Sequence, residues 1–249
     1  MPLGTFDAIV LQVFPYGETS KILRLFTATH GVQSVIARGA RRPRSQYGGL
    51  LEIFAEGTAT IHTKENRDLQ TLSGFELSRT RQSLGSDLMR FGGASLLAEI
   101  VLRSAREEPQ PELFYTFRKA LDRLEAEPAE TAEFAVLSET WRLVSCLGFA
   151  PELRECVECG RSIALDEDVK FDLQAGGLRC RDCAPGAPGR MLPARARIAL
   201  MRMAEAQPFE AERTDGHWWL LRRYLDHHVL EGAELRSTAT IDVARGASP

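Results

Sequence analysis

Two Cys-x-x-Cys pairs constrain this chain more than any other feature in it. Cys156-Val157-Glu158-Cys159 and Cys180-Arg181-Asp182-Cys183 stand twenty residues apart. Each pair can turn both sulfurs toward one point. Two such pairs meeting make a tetrahedral four-thiolate site of the kind that suits zinc. Four protein ligands leave no open coordination position, so the expected Zn2+ is structural; a dithiol redox pair is the alternative. Gly160 follows the first pair directly, which favours a tight turn with backbone N–H groups facing sulfur. Four thiolates on zinc carry a formal -2 charge, and Arg154, Arg161, Arg179 and Arg181 are near enough in sequence to offset it. The segment around the pairs has little apolar content of its own, so the ion is expected to hold it together. Cys146, the fifth cysteine, falls on the apolar face of a helical pattern and is expected to be a small buried hydrophobe.

Upstream, the first eighty residues read as β. Apolar and β-branched runs at 6–14, 20–28, 32–38, 50–63 and 69–77 are separated by turn signals such as Pro15-Tyr16-Gly17-Glu18, Thr29-His30-Gly31 and the polar turn 64–68. Glu56-Gly57 inside the fourth run predicts a bulge or bend. Five short strands with one long connection predict a small closed barrel of the OB type. The period changes near residue 80. Helices are predicted over 84–102, 112–126, 131–147, 193–207 and 217–230. Gly92-Gly93 marks a break or a close helix contact, and Gly148 a helix C-cap. The fold class is therefore α+β. A five-stranded OB-fold barrel (1–80) precedes a helical domain (81–149 and 191–249), into which a four-cysteine zinc insert (150–190) is placed.

The net charge is -3 and the pI about 6.0, so bulk charge gives no support to binding a polyanion. A local cluster does. Arg38, Arg41, Arg42 and Arg44 lie within seven positions with no acid among them. Gly39 and Pro43 keep that stretch out of regular structure. A loop of this kind between barrel strands can offer guanidinium forks to phosphates, and Lys21 and Arg24 on the preceding strand extend the patch. A solvated surface loop is the plainer alternative. Tyr16 and Tyr47, both in turns, are the candidates for stacking on bases.

Catalytic motifs are missing. There is no G-x-x-x-x-G-K-[ST] loop, G-x-S-x-G elbow, H-E-x-x-H helix or deaminase His-x-Glu, so an enzyme is not expected. No apolar run reaches the roughly 18 residues of a membrane span. No basic segment with an apolar core opens the sequence, which makes the cytoplasm the expected location and leaves no membrane role.

The stretch Leu25-Phe26-Thr27 to Gly31, continued by Val35-Ile36-Ala37-Arg38-Gly39-Ala40-Arg41-Arg42-Pro43-Arg44-Ser45, resembles the N-terminal signature of the RecO family of bacterial recombination mediators. Leu147-Gly148-Phe149-Ala150-Pro151 before Cys156 and Cys159 is similar to that family's approach to its zinc site. The order of parts agrees, so the resemblance covers nearly the whole chain. It implies a protein that binds single- and double-stranded DNA and anneals complementary strands. It also implies work with RecR, contact with the C-terminal tail of single-strand binding protein (SSB) and, indirectly, help for RecA in loading onto SSB-coated DNA. The DNA contacts expected from the basic loop and its surroundings are Lys21, Arg24, Arg38, Arg41, Arg42, Arg44 and Tyr47. The second reading is a zinc-containing interaction adaptor that binds DNA only weakly, which the acidic pI favours.

Overall fold

The alternating run that opens the chain becomes its longest strand. β1 spans Leu3–Tyr16. The computed structural model describes all residues except 1–2, 65–66, 106–107, 206, 208–213, 231, 233 and 247–249. The first half of β1 pairs antiparallel with β4 (Glu56–His62), and the second half with β2 (Ser20–Thr27). A register shift between Val10 and Gln12 lets one strand serve both partners. β3 (Gly31–Ala37) pairs with β2, and β5 (Leu69–Arg79) pairs antiparallel with β4. A short parallel pairing of β3 with β5, from Ser34–Leu69 to Ile36–Thr71, closes the barrel in the order β1-β2-β3-β5-β4. The bulge foreseen at Glu56-Gly57 is present as a register shift. A side chain on Gly57 would meet the Glu76 carbonyl oxygen at 2.2 Å, so only glycine fits.

Residues 50–55, read from the sequence as the start of the fourth strand, are turns instead. Their apolar side chains go to different places. Leu51 and Ala55 plug the barrel beside Val10, Leu23, Val35 and Ile61, whereas Phe54 belongs to the core under the helices. What excludes a strand here is the backbone: Ala55 N–H turns back to Glu52 O at 3.1 Å, and the φ of Phe54 is not an extended one. Phe54 takes a left-handed φ of 64°, and its carbonyl accepts from Arg81 Nη1 at 3.0 Å. The Arg81 side chain is wholly buried and also reaches Glu56 on β4 at 2.5 Å.

A 3₁₀ turn at Gln82–Ser86 leads into α1 (Leu88–Ser104), α2 (Pro111–Ala126) and α3 (Ala132–Cys146). Phe26 of β2 meets Phe114 and Phe117 of α2 edge-on, with ring centroids 5.4 and 6.0 Å away. The barrel therefore seats on the helices through the outer face of β1 and β2. Gly92-Gly93 is a close helix contact and no break: a side chain on Gly93 would meet Val136 of α3 at 2.2 Å. Gly148 takes the left-handed φ of a helix C-cap, at 89°.

Four short strands follow: β6 (Glu152–Cys156), β7 (Val169–Asp172), β8 (Gly177–Arg179) and β9 (Arg190–Leu192), in sheet order β6-β8-β7-β9. Leu153, Ile163, Val169, Phe171 and Leu178 share one core with the helices. α4 (Ala194–Ala204) and α5 (Asp215–Tyr224) come next, and α5 runs into a π-helical turn at Leu225–Val229. The final helix, α6 (Ser237–Ala244), is eight residues long and rich in β-branched Thr, Ile and Val, too short for a helical period to announce it. It returns to α1, where the Glu99 carboxylate accepts from the Arg236 and Ser237 N–H groups at 3.0 Å each. Among the described residues, no helix is long and apolar enough to cross a membrane.

Candidate functional site

β3 ends where Gly39 turns to φ 71°, and the arginine loop begins there. Successive turns, Arg42 N–H to Gly39 O and Ser45 N–H to Arg42 O, both at 3.0 Å, fold the loop against the barrel end. The Arg41 N–H donates to Thr19 O at 2.8 Å, and its guanidinium to Gly17 O at 3.1 Å. The loop is thus tied to the β1–β2 turn. Arg38, Arg41, Arg42 and Arg44 are all exposed. Among the described residues, none of the four is ion-paired to a carboxylate.

A cleft of about 710 Å³ opens beside this loop. The β1–β2 turn supplies Tyr16, Thr19 and Ser20; β3 and the arginine loop after it supply Ile36, Arg38 and Arg42; the β4–β5 loop and the start of β5 supply Arg67, Asp68, Leu69 and Thr71. In a five-stranded barrel of this type, the second and third strands with these two loops form the face that takes oligonucleotides. Three guanidiniums around a groove can grip phosphates in forked geometry. Tyr16, half exposed at 52%, offers a ring at the same edge.

The sequence readings for this region fare unevenly. Arg38 and Arg42 line the cleft, and Arg41 and Arg44 stand on its loop. Lys21 is drawn toward the loop beneath, where its Nζ lies 3.2 Å from Glu52 Oε1 and 3.5 Å from Leu51 O. Arg24 is half-buried in mid-strand, opposite Gln12 and Ser34. Tyr47 corrects the expectation of a stacking ring. It is 3% exposed inside the barrel core, and its hydroxyl donates to Leu72 O at 2.9 Å. Burial pushes its phenol pKa up, and no ring face is left for a base. Arg67 was missed. It is an isolated arginine in a polar turn, and only the β3–β5 pairing brings that turn to the cleft that Arg38 lines.

The four cysteines converge as their spacing requires: their Sγ atoms all lie within 4.8 Å of one another. Cys159 and Cys180 are 3.8 Å apart, close to the ~3.8 Å that Zn–S bonds of about 2.3 Å give across a tetrahedron. Cys156 ends β6, and Gly160, at φ 69°, closes the first turn with its N–H on Cys156 O at 2.8 Å. The second turn repeats the pattern: Cys183 and Ala184 N–H donate to Cys180 O at 3.0 and 2.9 Å. The Cys180 N–H faces Cys156 Sγ at 3.4 Å. Burial opposes ionisation of Cys156, yet the N–H groups of Cys180, Cys159 and Glu158 hold its pKa down to about 6. Hydrogen bonds with Cys180 and Cys159 push Cys183 up to about 12. A bare cluster thus resists its last deprotonation, and a divalent cation among the sulfurs removes that resistance. The donor set and the geometry fit zinc.

Of the four arginines expected to offset the thiolates, Arg161 pairs with Glu167 at 2.8 Å and also favours the ionised Cys180 sulfur. Arg179 is engaged by Asp172 and Glu158, and Arg154 by Glu205. Cys146 is half-buried against the helical core, and burial raises its thiol pKa.

Residues 1–81 match the family model for the recombination protein O N terminal region, and residues 85–238 that for its C terminal region. The chain is 32% identical over 239 residues to a DNA repair protein RecO of Anaeromyxobacter dehalogenans, with 92% of each chain covered. It is 33% identical over 235 residues to the DNA repair protein RecO of Rubrobacter xylanophilus, covering 94% of this chain and 93% of the relative. A Synechococcus elongatus DNA repair protein RecO is 30% identical over 236 residues, covering 90% and 88%.

Proposed function

The chain belongs to the RecO family, and from that premise we propose that it is a non-enzymatic mediator of DNA repair by recombination. It holds single- and double-stranded DNA at the barrel cleft, and complementary strands anneal because bound guanidiniums lower the repulsion between them. With RecR it helps RecA load onto SSB-coated DNA. It works in the cytoplasm, where a reducing medium keeps thiols free for metal. The structural Zn2+ joins the two cysteine turns; the DNA contacts belong to the chain's own arginines.

The observation that carries this reading is a cation cluster with no ion pair among the described residues, with Asp68 as the one acid on the described cleft wall. Arg38, Arg42 and Arg67 converge on one cleft although the molecule as a whole is mildly negative. A local field of this kind attracts a polyanion despite the net charge. Each single-strand phosphate neutralised lowers log affinity by roughly 0.7 per decade of salt. The test is anisotropy titration of a short single-stranded oligonucleotide at several salt concentrations, with Arg38, Arg42 and Arg67 each changed to Ala. A slope and affinity equal to wild type in all three would sink the cleft, and the adaptor reading would then stand.

A second groove supports contact with the SSB tail. It measures about 890 Å³ and lies among β9, α4 and α5. Met191 and Trp219, 59% and 41% exposed, give it apolar surface, and Arg190 and Arg195 give it positive charge. The Arg190 guanidinium stands 4.8 Å over the Trp219 ring. An acidic segment with an apolar end fits such a groove, apolar end down and carboxylates toward the arginines.

A further inference from the structure

We infer that the four-cysteine module is itself a wall of the partner groove, so that capturing an acidic, apolar-ended peptide requires a metal-loaded module while DNA binding at the barrel does not. The inference rests on the groove reading above and adds a dependence to it.

One side of the groove is built from helices, with Ala199 of α4 and Leu220 of α5. The other is built from the cysteine module's sheet: Phe171 of β7, and Arg190, Met191 and Leu192 of β9. β9 is the edge of that sheet, three residues long, and among the described residues its only strand partner is β7. A strand this short has little hold of its own. Its C-terminal end runs through Pro193 into α4, where Asp168 Oδ1 accepts the Ala194 N–H at 3.0 Å; its other two ties lead back to the cysteines. Across the sheet, β7 pairs with β8 through Phe171–Leu178, and β8 runs directly into Cys180. Along the chain, only residues 184–189 separate Cys183 from β9. That connection is tied to β7 by Lys170 Nζ, which donates to Ala187 O at 2.5 Å and Ala184 O at 3.4 Å. Gly189 passes so close to β7 that a side chain there would meet Phe171 O at 2.2 Å.

Without an ion, nothing covalent or coordinate joins the turn after β6 to the turn after β8. The 184–189 connection then loses its tie to the cysteine cluster and keeps only the Lys170 hydrogen bonds, too few to hold β9 in register against β7. Met191 and Arg190 move with it, and the groove loses one side. The barrel cleft shares no residue with this sheet.

The experiment compares the full chain in zinc-loaded and chelator-stripped forms, under reductant so that the thiols do not oxidise, with metal content measured in each. The probes are a labelled peptide with a run of aspartates and a C-terminal phenylalanine carboxylate, and a short single-stranded oligonucleotide. Stripping is expected to weaken the peptide by about tenfold or more and to change tryptophan emission, since Trp219 loses its Arg190 partner. Zinc should restore both, and oligonucleotide affinity should stay within about twofold. Equal peptide affinity in the two forms overturns the inference. So does parallel loss of DNA binding, which makes the metal a staple for the whole molecule. Absence of peptide binding even to loaded protein rejects the groove reading, and the inference with it. Lys170→Met gives an independent arm: zinc content should be full while peptide affinity falls, and unchanged affinity in that variant also overturns the proposal.

Discussion

The guanidinium of Arg197 in α4 donates to the backbone carbonyl of Leu153 in β6 at 3.0 Å. The same group donates to Ile163 O at 2.9 Å and Ala164 O at 2.6 Å, so one side chain clamps the cysteine module to the helices. Arg197 is 1% exposed, and among the described residues it is in no ion pair. Its hydrogen bonds all go to carbonyl oxygens, and burial lowers its pKa against the opposing pull of the Glu167 carboxylate. Arg197→Met leaves three carbonyls without a donor and should cost about 3 kcal/mol of unfolding free energy. Arg197→Lys should recover only part, because a single ammonium cannot reproduce the planar fork. Urea unfolding of the two variants checks the order; equal stability of wild type and the Met variant contradicts the clamp.

Close packing of α1 on α3 makes a second prediction. Gly93→Ala sets a methyl 2.2 Å from Val136, whereas Gly92→Ala meets Ile241 at 3.0 Å. The first should destabilise by roughly 1–3 kcal/mol and the second by less. Adding Val136→Ala to Gly93→Ala should return part of the loss, since the two sites share one space. Thermal melts of the three variants supply the comparison.

Acid should release α6. Glu133 accepts from Thr214 Oγ1, Trp218 Nε1 and Arg245 Nε at 2.6, 2.7 and 2.8 Å. Burial by itself raises the pKa of this carboxyl, but the donors outweigh it and hold the pKa below the ordinary value. Glu99, at the other end of α6, is held down by the Ser237 and Arg236 N–H groups against the same opposing burial. A folded pKa below the unfolded one stabilises the native state fully above the unfolded value, near 4.3. That contribution fades as pH falls through the depressed folded value. Wild-type Tm should therefore fall on acidification below about pH 4.3, and Glu133→Gln should show a shallower fall from a lower starting point. Parallel profiles would remove Glu133 from the account.

The two barrel tyrosines should separate cleanly. Tyr16→Ala is expected to weaken single-stranded DNA by about 1–3 kcal/mol of stacking, with Tm unchanged. Tyr47→Phe removes the hydrogen bond to Leu72 O and should lower stability by about 1 kcal/mol, with DNA affinity unchanged. Anisotropy and thermal melting on the same two variants decide it, and an exchange of their effects would mean that the ring inside the barrel is the one that reaches DNA.

The parts legible in advance are those written in local spacing. The five strands follow from period-two runs between turns, the first three helices from 3.6-residue spacing, and the four-sulfur cluster from two pairs able to close on one point. The bulge at Glu56-Gly57 and the cap at Gly148 were legible because glycine there answers a backbone demand within a few residues.

What tertiary structure alone decided is where separate segments meet. Arg67 joins Arg38 and Arg42 only because β3 and β5 pair in parallel, an event with no local signature. Tyr47 turns inward because the barrel end needs a plug, and residues 50–55 leave the strand pattern at a turn in which Phe54 takes a left-handed φ, its carbonyl held by the distant Arg81. α6 is too short and too rich in β-branched residues to announce itself and is held by Glu99 and Glu133 from distant helices. Period and spacing act within one turn or one strand and are set by the chain itself. Burial and charge convergence depend on which surface arrives opposite, and that is settled only when the whole fold closes.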